Sequence, residues 1–341
     1  MSANPLLGAV AVAFVTSCSG RPAWDPSVLG DLAPPVFAGL YTTDNTSVEL
    51  RFDEPVRLVE GSLVHEPPLP EEITQSSGNS LLVTTPPQTP GQPYVLEATV
   101  EDTNGNTAAV LARYWGHNPN VPRILINELT TRGSESHPDL VELRVLTDGD
   151  LAGLVLFAGT PSDWTERIVM PSCPVRAGEY VLVHWKPQGI PAEKDEAGAR
   201  DASGGLDVSA VAVDLWVPGG QGLSGNNGAL CLASSPRGEV LDAILYSDRT
   251  TDSDTAYGGF GSAVMLARAR EMVAVGAWIA ANDPVSPEDA VSPAGSTATR
   301  TIARGRASVD TNTRADWHIT PTRGATWGTA NTDDCYAAPV R

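Results

Sequence analysis

Apolar residues in this chain come in short alternating runs, and glycine or proline interrupts most of them within a few residues. Ser47–Phe52 (SVELRF) alternates polar and apolar at every step, so an extended backbone puts its apolar side chains on one face. Ser80–Thr84 (SLLVT), Tyr94–Val100 (YVLEATV) and Asp139–Val145 (DLVELRV) read as strands in the same way, and Arg123–Leu129 (RILINEL) is rich in branched residues that suit a sheet. Leu223–Leu232 and Gly238–Tyr246 read as a hairpin. The 32 glycines and 28 prolines are scattered, with clusters at Glu66–Pro70 and Pro86–Pro93, which is the punctuation of turns between strands. Many short strands with frequent turns predict an all-β fold of sandwich type. A length of 341 residues and 41% hydrophobic content allow more than one folded module. Two segments break the pattern. Residues 260–281 (FGSAVMLARAREMVAVGAWIAA) have helical composition and predict one helix, ended by Asp283-Pro284. Residues 186–210 are rich in Gly, Ala, Asp and Glu and predict a mobile loop.

A net charge of −19 and a pI near 4.5 oppose binding to nucleic acid. The one basic stretch, Arg300 to Arg314, lacks interleaved aromatics and reads as a solvated loop. Asp102, Asn104, Gly105 and Asn106 read as a turn, with a Ca²⁺ loop as the alternative, although EF-hand spacing is absent. The four cysteines, Cys18, Cys173, Cys231 and Cys335, form no CxxC and have no histidine at ligand spacing, so no zinc site is expected.

No catalytic constellation emerges. Glu128 and Glu142 are the most tempting pair, since two carboxylates on one sheet can do acid–base work. The alternative is a structural role in which each is held by loop amides or an arginine. The histidines His65, His117, His137, His184 and His318 are scattered, with no HExxH. Gly222-Leu223-Ser224-Gly225 lacks the spacing of a nucleophile elbow, and Gly219–Gly222 lacks the lysine of a phosphate loop. Trp185, Trp216, Trp278, Trp317 and Trp327 read as core or loop anchors, with a carbohydrate platform as the alternative. The chain is therefore expected to be non-enzymatic, with no catalytic residue, cofactor or metal.

Leu6–Val15 (LLGAVAVAFV) is uncharged, too short to span a bilayer as a helix, and of the length of a secretory apolar region. It runs into Val15-Thr16-Ser17-Cys18, which resembles the lipobox of bacterial lipoproteins. The resemblance implies a signal peptide over 1–17, lipidation of Cys18 and a tether over 18–33. It departs from the usual pattern in that Met1–Pro5 carries no Lys or Arg. Export permits a disulfide between Cys173 and Cys231, the alternative being two buried thiols.

SVELRFDEPV (47–56) followed by PGQPYVLEATVEDTNGN (90–106) resembles a bacterial immunoglobulin-like domain of the surface-layer type, over 34–117. From 121 to 332 the ordered pieces ILINEL, LVELRV, DLAGLVL, RAGEYVLV, LSGNNGALCL, GEVLDAILY, DTNTRADW and PTRGATWGTAN resemble a lamin-tail domain, leaving a tail over 333–341. The signature tryptophan after the "L-S-G" of that family is Leu154 here. These resemblances imply two immunoglobulin-like sandwiches in tandem, the second carrying the insertions 186–210 and 260–281. The function they imply is that of a lipid-anchored cell-envelope protein with a structural, adhesive or scaffolding role. The alternatives are a carbohydrate-binding module, or an accessory protein of an extracytoplasmic hydrolase or nuclease. Ser19 after the lipidated cysteine favours the outer membrane. The partners expected are the membrane, through the lipid, and a protein or glycan of unspecified kind.

Overall fold

The computed structural model describes residues 31–69 and 73–338. It has 35% strand against 7% helix, so the fold is predominantly β. The segment expected to be a signal peptide, Cys18 and most of the expected tether lie outside the described residues. Among the described residues, no helix is long and apolar enough to cross a membrane.

Among the described residues, the first module has eight strands: β1 (Phe37–Asp44), β2 (Ser47–Phe52), β3 (Arg57–Leu58), β4 (Val64–Glu66), β5 (Ile73–Ser77), β6 (Ser80–Thr84), β7 (Pro93–Glu101) and β8 (Thr107–Trp115). One sheet runs β1-β2-β6-β5; in the other, β7 carries β3 and β4 along one edge and β8 along the opposite edge. The alternation read from the sequence places Val48, Leu50, Leu81 and Val83 of the first sheet in one core with Tyr94, Leu96, Ala98 and Val100 of the second.

The second module comprises β9 (Ile124–Thr130), β10 (Leu140–Val145), β11 (Gly149–Asp150), β12 (Val155–Gly159), β13 (Trp164–Val169), β14 (Pro174–Val175), β15 (Tyr180–His184), β16 (Val213–Trp216), β17 (Asn227–Ala233), β18 (Val240–Ser247), β19 (Ile302–Arg304) and β20 (Trp317–Ile319). A six-stranded sheet runs β16-β15-β10-β9-β19-β20 and a four-stranded sheet β13-β12-β17-β18, while β11 and β14 pair with each other. Side chains from both larger sheets share a second core, which includes Ile126, Leu143, Val181, Phe157, Leu230 and Ile244. The expected hairpin is β17–β18, antiparallel from Asn227↔Ser247 onward.

The two insertions differ from expectation. The helix α1 spans only Ala263–Ala274. Ser262 caps it by accepting from Met265 N at 3.1 Å, and Gly276, at φ +74°, lies just beyond its end in the left-handed region that stops a helix. Trp278 then leaves the helical path to be buried, its indole N–H donating to Asp289 O at 3.1 Å. The 186–210 segment, expected to be mobile, is pinned instead. Glu196 is 1% exposed and accepts from Ala202 N (2.8 Å), Ser203 N (2.9 Å) and Asp214 N (3.2 Å), tying the loop to β16. A composition poor in apolar residues still gives order where a buried carboxylate collects the loop's amides.

Candidate functional site

The modules meet backbone to backbone. Gly91 and Gly153 have φ of +72° and +79°, and a Cβ on Gly91 would lie 2.4 Å from Gly153 N. Only glycine permits that approach and that conformation together. Asn118, in the connecting segment, is buried and donates to Asp150 O at 2.7 Å and Ala152 O at 3.0 Å, while Asp150 N donates to Asn120 O at 2.8 Å. The connection is thus a hydrogen-bonded joint.

Along this joint runs a groove in two halves. A polar half of about 320 Å³ is lined by Tyr41, Trp115, His117, Ser234, Ser235 and Glu239, among others. A basic half of about 610 Å³ is lined by Leu111, Arg113, Trp115, Pro161, Arg167 and Arg237, among others. Trp115 and Arg237 line both, so the two halves adjoin at these side chains. The period of two on β8 explains one wall: Val110, Ala112 and Tyr114 enter the core, so Leu111, Arg113 and Trp115 face outward. Arg167 comes from β13 and Arg237 from the β17–β18 turn. The Arg167 guanidinium sits 4.5 Å over the Trp164 ring, which is itself 40% exposed. Burial, and then the neighbouring Arg113 charge, hold Arg167 below the usual guanidinium pKa. Among the described residues, Arg113, Arg167 and Arg237 make no ion pair.

The carboxylates singled out from the sequence do come together, in a sealed place. Glu128 and Glu142 are register partners on β9 and β10, and both are fully buried. A register shift between Glu142 and Leu143 leaves Asn127 as an extra residue, a bulge that turns its side chain toward Glu142 Oε1 at 2.7 Å. Glu128 accepts from Thr301 Oγ1, from Thr326 N at 3.0 Å and from Thr326 Oγ1 at 2.6 Å. Glu142 accepts from Gly328 N at 2.6 Å. Burial, and then the proximity of Glu128, push the Glu142 carboxyl up to about 8, and burial raises Glu128 as well. These carboxylates hold the chain segment around Thr326 and Gly328 against the sheet, and neither lines a cavity described above.

Arg304 belongs to the stretch read as a solvated loop, and that reading is corrected: its side chain is fully buried. It donates twice to Asp242 of β18, at 2.8 and 3.1 Å, and its Nε–H donates to Ile126 O at 2.8 Å. Asp242 Oδ2 accepts from Ile126 N at 2.6 Å. The backbone groups beside the β9 bulge are thus satisfied by an ion pair that links the two sheets. Burial pushes the Asp242 carboxyl up, with the Arg304 charge pulling against it.

Cys173 and Cys231 both lie in the second core as free thiols. Burial pushes both thiols up, so they are poor nucleophiles. Cys335 is exposed. Asp102 makes the expected turn, accepting from Asn104 N (2.7 Å), Asn106 N (2.8 Å) and Asn106 Nδ2 (2.7 Å). Asp31 and Glu54 each bring a carboxylate oxygen within 4.8 Å of it, but its own oxygens are engaged by the turn. His184 pairs with Asp214 at 2.7 Å and stacks on Trp216, with ring centroids 3.8 Å apart; both partners are buried. Of the five tryptophans singled out, none lines the groove. Trp115 and Trp164 do so or flank it, and sequence reasoning missed both, along with the three arginines. The outward row Leu111-Arg113-Trp115 is visible in the sequence once β8 is recognised.

Residues 122–319 match the protein-family model TP_1001_2nd, described as "protein second domain". A protein of Treponema pallidum (strain Nichols), named only as uncharacterized, is 29% identical over 165 residues, covering 46% of this chain and 39% of the relative. The match thus spans well under half of that relative's length. Because the family match takes in more than half of the 341 residues, this chain belongs to the TP_1001_2nd, "protein second domain", family.

Proposed function

We propose that this protein is a non-catalytic cell-envelope lipoprotein, held by acyl chains on Cys18, that presents an adhesive or scaffolding surface at the joint of two immunoglobulin-like sandwiches. The first sandwich would be of the surface-layer type and the second of the lamin-tail type, as the ordered motifs suggest. The observation that carries the binding role is the groove: two adjoining open clefts between modules that Gly91, Gly153 and Asn118 lock in place. A prearranged cleft of this kind suits ligand capture. The buried carboxylates with raised pKa lie elsewhere and have their partners inside the fold, which favours binding over catalysis. The anchor reading rests on Leu6–Val15 and the lipobox-like Val15–Cys18, since several acyl chains give lasting attachment where one gives little.

Intact-mass spectrometry of the membrane fraction, beside Cys18→Ala, tests this reading. A mature chain beginning at acylated Cys18 in the wild type, absent from the variant, is expected. A chain that retains Met1 without modification in the soluble fraction would sink it.

A further inference from the structure

We propose that the junction groove binds an anionic saccharide, with carboxylate or sulfate groups held by Arg113, Arg167 and Arg237 and a sugar ring seated on Trp115. This rests on the reading of the groove as the protein's binding surface.

Three observations carry it. The chain has a net charge of −19, yet three guanidinium groups gather in one cavity with no carboxylate partner among the described residues. Collecting like charges costs free energy unless an anion offsets it, and the planar guanidinium forks match carboxylate or sulfate oxygens. Arg167 is also preorganised, stacked 4.5 Å from the Trp164 ring, so less freedom is lost on binding. Finally, the basic half adjoins, across the half-buried Trp115, a second cleft where His117, Ser234, Ser235 and Glu239 offer donors and acceptors. An aromatic face beside hydroxyl-binding groups suits a sugar ring, which has an apolar face and a polar rim. The overall negative charge repels long polyanions from the rest of the surface, so binding is confined to the groove.

The test is calorimetric titration of the full chain in neutral detergent with three probes: an oligogalacturonate, a heparin-derived oligosaccharide, and the methyl-esterified oligogalacturonate. Glutamate oligopeptide and anionic phospholipid vesicles serve as competitors. Binding of one or both acidic saccharides is expected, with the methyl ester at least about tenfold weaker and affinity falling as salt rises. Oligogalacturonate carries carboxylates alone and the heparin fragment both groups, so binding of oligogalacturonate assigns the site to carboxylate and binding of the heparin fragment alone assigns it to sulfate. The triple variant Arg113→Gln/Arg167→Gln/Arg237→Gln is expected to lose binding at an unchanged melting temperature, and Arg237→Gln alone, at an exposed turn, to weaken it. Arg123→Gln/Arg176→Gln, outside the basic half, is expected to bind as the wild type does. Equal binding of the methyl ester, full binding by the triple variant, or binding only of the peptide or the vesicles would overturn the proposal. Because Cys18 acylation is measured separately, loss of the saccharide result leaves the envelope reading standing, whereas an unmodified Cys18 removes that reading whatever the titration shows.

Discussion

Glu142 is a carboxylate that the fold prefers protonated. Burial and the neighbouring Glu128 raise its pKa from 4.5 to about 8. The folded chain therefore holds a proton there that the unfolded chain releases, and the associated stability is complete below about pH 4.5 and lost as pH rises through about 8. Across that window this site should lower stability steadily as pH rises. Urea unfolding at a series of pH values is expected to show a flatter profile for Glu142→Gln than for the wild type; parallel profiles would rule out this origin. Arg304 makes the opposite kind of statement. Arg304→Met removes the partner of a buried aspartate and of Ile126 O, and should cost about 3–5 kcal/mol of stability. A loss under about 1 kcal/mol would mean that the ion pair does not hold the sheets together. The pairing of Glu128 with Glu142 was legible from the sequence, since both stand on strong strand patterns. The burial of Arg304 was not, because an arginine among other arginines looks solvated until Asp242, sixty-two positions away, is seen against it.

Among the elements, the segment from Lys186 to Ala210 shows how composition misleads. Its Gly, Ala, Asp and Glu content suggests motion, but Glu196 accepts three backbone amides inside the fold and Trp216 Nε1 donates to Ser203 Oγ at 2.9 Å. Glu196→Ala is expected to expose the segment to trypsin at Lys194 and Arg200, with cleavage several-fold faster while unfolding in urea shifts by about 1–3 kcal/mol at most. Unchanged cleavage would show that the loop is held by something other than this carboxylate. The helical insertion was legible as a helix but not in its length. Gly276 ends α1 well before Asp283-Pro284, and Trp278 is drawn into the core.

At the scale of the whole molecule, two cores meet through a contact with no room for a side chain. Each module keeps its own core, so a Cβ at the joint should separate them without unfolding either. Gly91→Ala is therefore expected to split a single calorimetric transition into two and to weaken saccharide binding in the groove. One transition at the wild-type temperature would mean that the joint tolerates the extra methyl group, and the groove would then not depend on the close approach of Gly91 and Gly153.

The β-rich fold, the positions of several strands and the hairpin of β17 with β18 were legible in the amino-acid sequence, because side-chain alternation and turn residues act over a few neighbours. The pairing of Glu128 and Glu142 was readable there too. What the modules build between them depends on contacts between distant segments of the folded chain. Arg113 stands on β8, Arg167 on β13 and Arg237 on a turn, and no local pattern links them. Their convergence follows from the handful of backbone contacts at Gly91, Gly153 and Asn118. The same holds for the buried polar groups, since whether a charge is solvated or sealed depends on what distant segment folds over it.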